Sequence, residues 1–263
     1  MTAVVSLGLA GSLDHDVIRE LATAAESAGL HAIWLNNTAD GEALGGLAAA
    51  AEVTPTLRLC TGVIPFDRTP ASGVAARVQE LALPQERLLL GVGSGQARHP
   101  VPLVSAGLDE LQQLVHAPVV LGALGPKMRS LAATRASGAL LSWLTPAIAG
   151  DAAAELRADA EAADRDRPVA VLYARGIVDP DAAAALAEES ARYASYPSYR
   201  ANFERLGIRA DDTTISGTTP QRLADPLAAY RVGVDELVFR AITPDGSTVA
   251  YRRIIDALGA ALA

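Results

Sequence analysis

The chain of 263 residues has one cysteine, two tryptophans and an aromatic content of only 4%. The lone Cys60 excludes an internal disulfide framework and the paired-cysteine spacings of zinc and redox motifs. Inside an apolar run, it reads as a small buried residue. Acidic residues outnumber basic ones, for a net charge of −8. No arginine tract offsets that balance, which argues against non-specific binding to nucleic acid. No apolar stretch reaches the ~18 uninterrupted residues of a membrane span. The opening residues lack a basic region ahead of their apolar run and do not read as a secretory signal. His15, His31, His99 and His116 are scattered without metal-ligand spacing, so no metal site is expected. These absences leave a globular, cytoplasmic protein with neither a nucleic-acid nor a membrane partner. Lysine is also all but missing: of 22 basic residues, Lys127 alone is not arginine.

What is present is a rhythm. Half of the residues are hydrophobic, and about a fifth are alanine. Strand-like runs are expected at residues 4–10, 32–35, 57–64, 88–92, 119–121, 139–144, 169–177 and 236–241. Helical periodicity follows at 14–28, 42–52 and 71–81, from Gly125-Pro126, from Thr145-Pro146, near Asp179-Pro180 and at 247–262. Proline at a first-turn position costs no hydrogen bond. Eight βα units in about 250 residues fit a (β/α)8 TIM barrel better than an open doubly wound sheet, which usually needs fewer units. No linker divides the chain, so residues 1–263 form a single domain. Two departures are expected. The loop after strand four is shortened and leads, between Ser94 and His116, into a short helix. Extra helices precede strand eight, with a break at Pro197, a loop over 211–217 and a helix over 220–231.

A barrel of this kind carries its site at the C-terminal strand ends. Those ends contain Asn36-Asn37, Thr61-Gly62-Val63, Gly91-Val92-Gly93, Gly125-Pro126-Lys127-Met128 and Ser142-Trp143. Glycine allows a planar ring or a phosphate close to the backbone, although any one glycine here also suits a tight turn. Lys127 lies on the first turn of a helix, where free N–H groups and the dipole favour an anion. A cation there is mildly unfavourable by itself, and a bound phosphate resolves the conflict.

Together these segments resemble the luciferase-like flavin and deazaflavin superfamily, in particular its F420-dependent oxidoreductases. The resemblance runs through Ala25-Glu-Ser-Ala-Gly-Leu-His-Ala-Ile-Trp-Leu35, Leu57-Arg-Leu-Cys-Thr-Gly-Val-Ile-Pro65 and Arg87-Leu-Leu-Leu-Gly-Val-Gly-Ser-Gly95. It continues through Leu124-Gly-Pro-Lys-Met128, Ala139-Leu-Leu-Ser-Trp-Leu-Thr-Pro146, Gly217-Thr-Thr-Pro220 and Gly233-Val-Asp-Glu-Leu-Val-Phe-Arg240. The resemblance implies F420, or alternatively FMN, and hydride exchange with a small organic substrate. It implies a non-prolyl cis peptide near Gly62-Val63 behind the ring. Thr61, Gly62, Val63, Gly91, Val92, Gly93 and Ser142 would lie about the cofactor, and Gly125, Pro126, Lys127 and Met128 would hold its phosphate. It also implies a homodimer formed through outer helices.

The sequence departs from the family at two positions. Many relatives carry a histidine at the end of strand two, where this chain has Asn36-Asn37. The sugar-oxidising branch has a glutamate after strand four, where this chain has Ser94. The chain is also shorter than typical members. Asparagine orients a substrate but is no general base, so Asn37 is expected to position substrate and His99 to donate a proton. Reduction of a substrate asks less of these residues than alcohol oxidation. The alternatives are an FMN-dependent monooxygenase and a degenerate barrel without turnover, which side chains filling the space beside Gly62 and Gly93 would favour. Tyr173 and Arg175 fall on one side of strand seven, and with Arg240 they either meet a cofactor tail or form internal ion pairs. Tyr193, Tyr196 and Tyr199 read as packing or lid residues. His15 reads as a solvated first-turn residue, and His31 and His116 lie at the wrong end of the barrel.

Overall fold

A computed structural model of the chain describes residues 2–38 and 41–263. Eight parallel strands form the barrel: β1 (Val4–Ala10), β2 (Ala32–Asn36), β3 (Arg58–Thr61), β4 (Leu88–Gly93), β5 (Val119–Gly122), β6 (Gly138–Ser142), β7 (Val169–Ile177) and β8 (Glu236–Ala241). They follow one another in chain order, and β8 pairs with both β7 and β1, which closes the sheet. Helices α1 (His15–Ser27), α2 (Ala43–Val53), α3 (Ala71–Glu80), α4 (Pro100–Leu114), α5 (Pro126–Arg135) and α6 (Pro146–Ala162) fill the first six connections. The connection from β7 to β8 carries α7 (Ala183–Ser195), α8 (Pro197–Leu206) and α9 (Pro220–Tyr230), and α10 (Thr248–Leu262) follows β8. This is the expected (β/α)8 TIM barrel, with its additional helices before the eighth strand.

The helix starts have local causes. Asp14, Thr145 and Ser247 accept hydrogen bonds from first-turn amides, and proline opens α4, α5, α6, α8 and α9. Each device satisfies or removes an amide that a helix start leaves without a partner. Three boundaries differ from expectation. The run over 57–64 is broken: β3 stops at Thr61, the Gly62–Val63 peptide is cis, and a short strand Ile64–Pro65 resumes beside β4. β6 stops at Ser142 because Trp143 turns the chain with φ 58°. After the short loop that follows β4, α4 is not short but runs for 15 residues. Gly107 lets that helix lie against Phe66, the residue after the short strand, since a side chain there would meet its ring.

Strand alternation divides the buried residues in two. Trp34, Cys60, Leu89, Val120, Leu140, Val171 and Val238 fill the barrel interior. The other faces join the helices in one continuous outer core, where buried alanines of α1, α2, α5 and α6 allow close helix packing. At the barrel floor the buried Glu236 carboxylate accepts hydrogen bonds from Ser6 Oγ at 2.5 Å and Trp34 Nε1 at 2.6 Å. Cys60 is buried, and burial pushes its thiol well above the usual value.

On the N-terminal face, Asp235 ties β8 to β7 and α6. Its carboxylate accepts from the Ala170 amide at 2.8 Å, Arg157 at 3.0 Å and Arg167 at 2.6 Å. Burial opposes the charge, but the amide and the two guanidinium groups outweigh it and hold the carboxyl below its usual range. A depressed native pKa gives stability that is present above the unfolded value and lost as pH falls through the native one. Asp235→Asn is therefore expected to cost about 2 kcal/mol at pH 7. Urea denaturation should show this difference closing below about pH 4, and a difference independent of pH would refute the carboxylate's part. A depression of about 360 Å³ lined by Arg157, Arg165 and Arg167 lies on this same face. That end of a barrel serves stability rather than chemistry.

Candidate functional site

Alternation also decides which side chains reach the C-terminal mouth. Because Trp34 and Cys60 face the interior, Asn36 and Gly62, two residues on, face the same way. Ala10, Asn36, Arg175 and Arg240, from β1, β2, β7 and β8, and Gly62, just past the end of β3, line a cavity of about 360 Å³. Tyr173 lines it from a deeper position on β7, and Ser12 and Thr38 contribute from the loops. Glu189, Arg192 and Tyr193 reach it from α7, so the extra helical material forms one wall. The volume lies in the range of small-ligand sites.

The cavity is polar and positively charged. Arg175 is buried, donates to Ser142 Oγ at 2.6 Å and pairs with Glu189 at 3.4 Å. Its guanidinium lies 4.1 Å from the Trp143 ring centre and 4.7 Å from that of Tyr193, within range of cation–π attraction. Glu189 also holds Arg192 at 2.8 Å. Arg240 is the cross-strand neighbour of Arg175. Its recorded hydrogen bond goes to the Ala241 carbonyl, and no carboxylate among the described residues pairs with it. Around the cavity, Tyr173 OH, Asn36 Oδ1 and Thr38 Oγ1 are buried without a hydrogen-bond partner. Burial pushes the Tyr173 phenol up to about 12, against the opposing pull of Arg240 and Arg175. It is a neutral donor at physiological pH. Among the described residues no cluster of His, Cys, Asp or Glu has the makings of a metal site.

Of the residues expected at the site, Gly62 lines the cavity, with Trp34, Tyr173 and Leu140 against it. Val63 stands beside Gly91, Gly93 and Gly122, and a side chain at Gly93 would come within 3.0 Å of it. Side chains thus stand beside both glycines, Val63 at Gly93 and Trp34, Tyr173 and Leu140 within 3.4 Å of a β-carbon at Gly62, as the degenerate alternative expects, although Gly62 still borders the open cavity. Thr61 and Val92 face the outer layer rather than the mouth. The Thr61 hydroxyl donates to the Gly91 carbonyl at 2.9 Å and accepts from its amide at 2.8 Å, and Val92 is fully buried in the outer core. Ser142 meets Arg175, as above. Gly125 caps α5, Pro126 is its first residue, Lys127 is exposed and Met128 is buried.

The structure reassigns the two residues expected to act on substrate. Asn37 Oδ1 accepts from the Ala43 amide at 2.8 Å, which ties it to the start of α2. Its neighbour Asn36 lines the cavity instead. His99 is an exposed residue at the start of α4 and is not among the residues lining the cavity. Ser12, Thr38, Glu189 and Arg192 were not expected from the sequence. The alternation set by Trp34 was a signal for Asn36, but nothing local marks the α7 residues, which reach the mouth only through tertiary packing.

A family model of luciferase-like monooxygenases matches residues 4–114 and 102–243. No curated protein matches in sequence. Among solved structures, an F420-dependent secondary alcohol dehydrogenase in complex with an F420–acetone adduct is 14% identical. It covers 98% of this chain and 99% of its own, with a TM-score of 0.74. The coenzyme F420-dependent tetrahydromethanopterin reductase of Methanopyrus kandleri is 18% identical, covers 98% and 97%, and has a TM-score of 0.74. The oxygenating constituent of 3,6-diketocamphane monooxygenase of Pseudomonas putida, in complex with FMN, is 13% identical, covers 97% of each chain and has a TM-score of 0.65.

Proposed function

The chain belongs to the luciferase-like monooxygenase family, and from that premise we propose that it is an oxidoreductase exchanging a hydride between F420 and a small organic substrate. The observation that carries this reading is the open cavity at the barrel mouth, ringed by the unpartnered polar atoms of Tyr173, Asn36 and Thr38. The side chains beside Gly62 and Gly93 favour a degenerate barrel, but the cavity that remains, with buried polar atoms left without partners, favours a ligand.

The residues present fit the cofactor. No atom lies within 4 Å of where a Gly125 side chain would begin, so the approach to the start of α5 is clear. Exposed Lys127 stands there at the positive end of the helix dipole, an arrangement suited to a phosphate. Gly125, Pro126 and Lys127 would hold that phosphate, and the Gly62–Val63 backbone would support the ring. When bound, the deazaflavin supplies a two-electron hydride carrier. Asn36 orients the substrate, α7 forms one wall of the mouth, the Tyr173 phenol donates a hydrogen bond into it, and the proton comes from solvent. The lining carboxylate Glu189 is held by two arginines, which leaves no free carboxylate base among the described lining residues and favours reduction of substrate over oxidation of an alcohol. A homodimer through the outer helices belongs to the same reading, and sedimentation would read it.

Titration of the purified protein with F420 and with FMN tests the reading, the expected result being micromolar binding of F420. Failure to bind either would overturn the enzyme assignment, and oxygen consumption with reduced FMN would give the monooxygenase alternative instead. Lys127→Ala is expected to weaken cofactor binding at least tenfold, about 1.4 kcal/mol, with Tm unchanged because Lys127 is exposed. Equal affinity would remove Lys127 from the phosphate site.

A further inference from the structure

The mouth of the barrel has an imbalance of charge that the fold does not use. Among the described residues three guanidinium groups line the cavity, from Arg175, Arg192 and Arg240, against the single carboxylate of Glu189. This excess of cations stands in a chain whose net charge is −8. Two of them are direct neighbours, since Arg175 and Arg240 are paired residues on adjacent parallel strands. Their Cα atoms therefore lie roughly 5 Å apart, and both side chains point to the same face. Like charges so placed destabilise a sheet and are costly in a buried setting.

The two arginines are not equivalent. Arg175 is held in place: Ser142, Glu189 and the Tyr173 carbonyl accept from it, and the Trp143 and Tyr193 rings lie beside its guanidinium. Arg240 donates to the carbonyl of Ala241, which leaves most of its five N–H donors without a partner among the described residues. Next to it is the Tyr173 hydroxyl, which would lie 3.0 Å from a side chain begun at Gly8, the strand neighbour of Arg240. That hydroxyl is buried and unpartnered. Asn36 Oδ1 and Thr38 Oγ1 are unpartnered as well, across the same cavity. A guanidinium fork beside a phenolic donor matches a planar group with two acceptor oxygens. The Asn36 oxygen asks for a donor on the same ligand.

We propose that the site takes a small oxo acid as substrate and the hydroxy carboxylate that its reduction yields, with the carboxylate held by Arg240 and Tyr173 and the reacting oxygen facing the Asn36 amide. This rests on the mouth being the substrate site. Arg240 and Tyr173 then determine specificity for an anionic substrate, and Glu189 serves to neutralise Arg175 and Arg192 rather than to meet the ligand.

Calorimetric titration of the full chain, first without cofactor, tests this with lactate and 3-hydroxybutyrate against their neutral amides, and with methyl phosphate. The carboxylates should bind at least tenfold more tightly than the amides and more tightly than methyl phosphate. Arg240→Gln should abolish the preference for carboxylate over amide, Arg240→Lys should retain part of it, and Tyr173→Phe should reduce it severalfold, with Tm confirming that each variant is folded. Equal binding of acid and amide, no binding of either, or an undiminished preference in Arg240→Gln would overturn the proposal. Tighter binding of methyl phosphate would overturn it in favour of a phosphoester. A tenfold loss of F420 affinity in Arg240→Gln would overturn it by assigning the arginine to the acidic tail of the cofactor. Because the preference is read without cofactor, it stands or falls separately from the F420 titration.

Discussion

Gly91→Ala is expected to destabilise the barrel by about 3 kcal/mol, the upper part of the range for overpacking. A β-carbon at position 91 would fall on the carbonyl oxygen of Thr61, far inside van der Waals contact. That atom is backbone, so no rotamer change relieves the clash. Moving it would disturb the two hydrogen bonds between the Thr61 hydroxyl and the Gly91 peptide groups. The pairing of β3 with β2 on its other side opposes such a shift. The Gly62–Val63 segment, one residue beyond Thr61, would be displaced with it, so binding at the mouth should weaken together with stability. Gly125→Ala is the contrasting case. Its backbone φ of −112° suits any residue, and no atom lies within 4 Å of the added methyl group. Its stability should change by less than about 0.5 kcal/mol, while cofactor affinity falls because the methyl group enters the approach to α5. Urea denaturation of both variants checks the pair, and a Gly91→Ala protein as stable as the parent would refute the packing account.

That contrast shows how far the chemistry of the strand ends was legible in the residues. Glycines at successive strand ends suggest a ligand approaching the backbone, yet Gly91 and Gly93 are small because Thr61 and Val63 stand beside them. A sequence marks a position without a side chain, but it does not say which group takes the space. The eight βα units and the helix starts at Gly125-Pro126 and Thr145-Pro146 were legible because each depends on contacts within a few residues. That Tyr173 and Arg175 share one face of β7 was legible for the same reason, though not which face. At Asn36-Asn37 the strand period held the answer, since Trp34 fixes the inward face and leaves Asn37 to the start of α2. The pairing of Arg175 with Arg240 joins residues 65 positions apart, and it appears only once β7 and β8 are registered. Glu189 and Arg192 reach the site because α7 folds across the mouth, which no local pattern encodes.

The packing of α7 over the mouth depends on Trp143. This ring is buried, packs at 4.9 Å and a tilt of 43° against Tyr193 of α7, meets Phe203 of α8 edge-on at 6.1 Å and lies 4.1 Å from the Arg175 guanidinium. Trp143→Ala should therefore cost about 3 kcal/mol or more, and the loss should be felt where α7 and α8 meet the barrel. Amide exchange over residues 183–206 should accelerate, and substrate affinity should fall although Trp143 does not itself line the cavity. Trp143→Phe keeps an aromatic face for Tyr193 and Arg175 and should recover more than half of the loss. The backbone adds a second, opposite effect. With φ at 58°, residue 143 occupies the left-handed region, where a β-carbon costs roughly 1–2 kcal/mol and glycine is free of that cost. Trp143→Gly should consequently be more stable than Trp143→Ala by about 1 kcal/mol, the reverse of their order in a helix or strand interior. Exchange rates that stay slow in Trp143→Ala would remove the ring as the anchor of α7. An alanine variant as stable as the glycine one would show that the turn at 143 relaxes once the ring is gone.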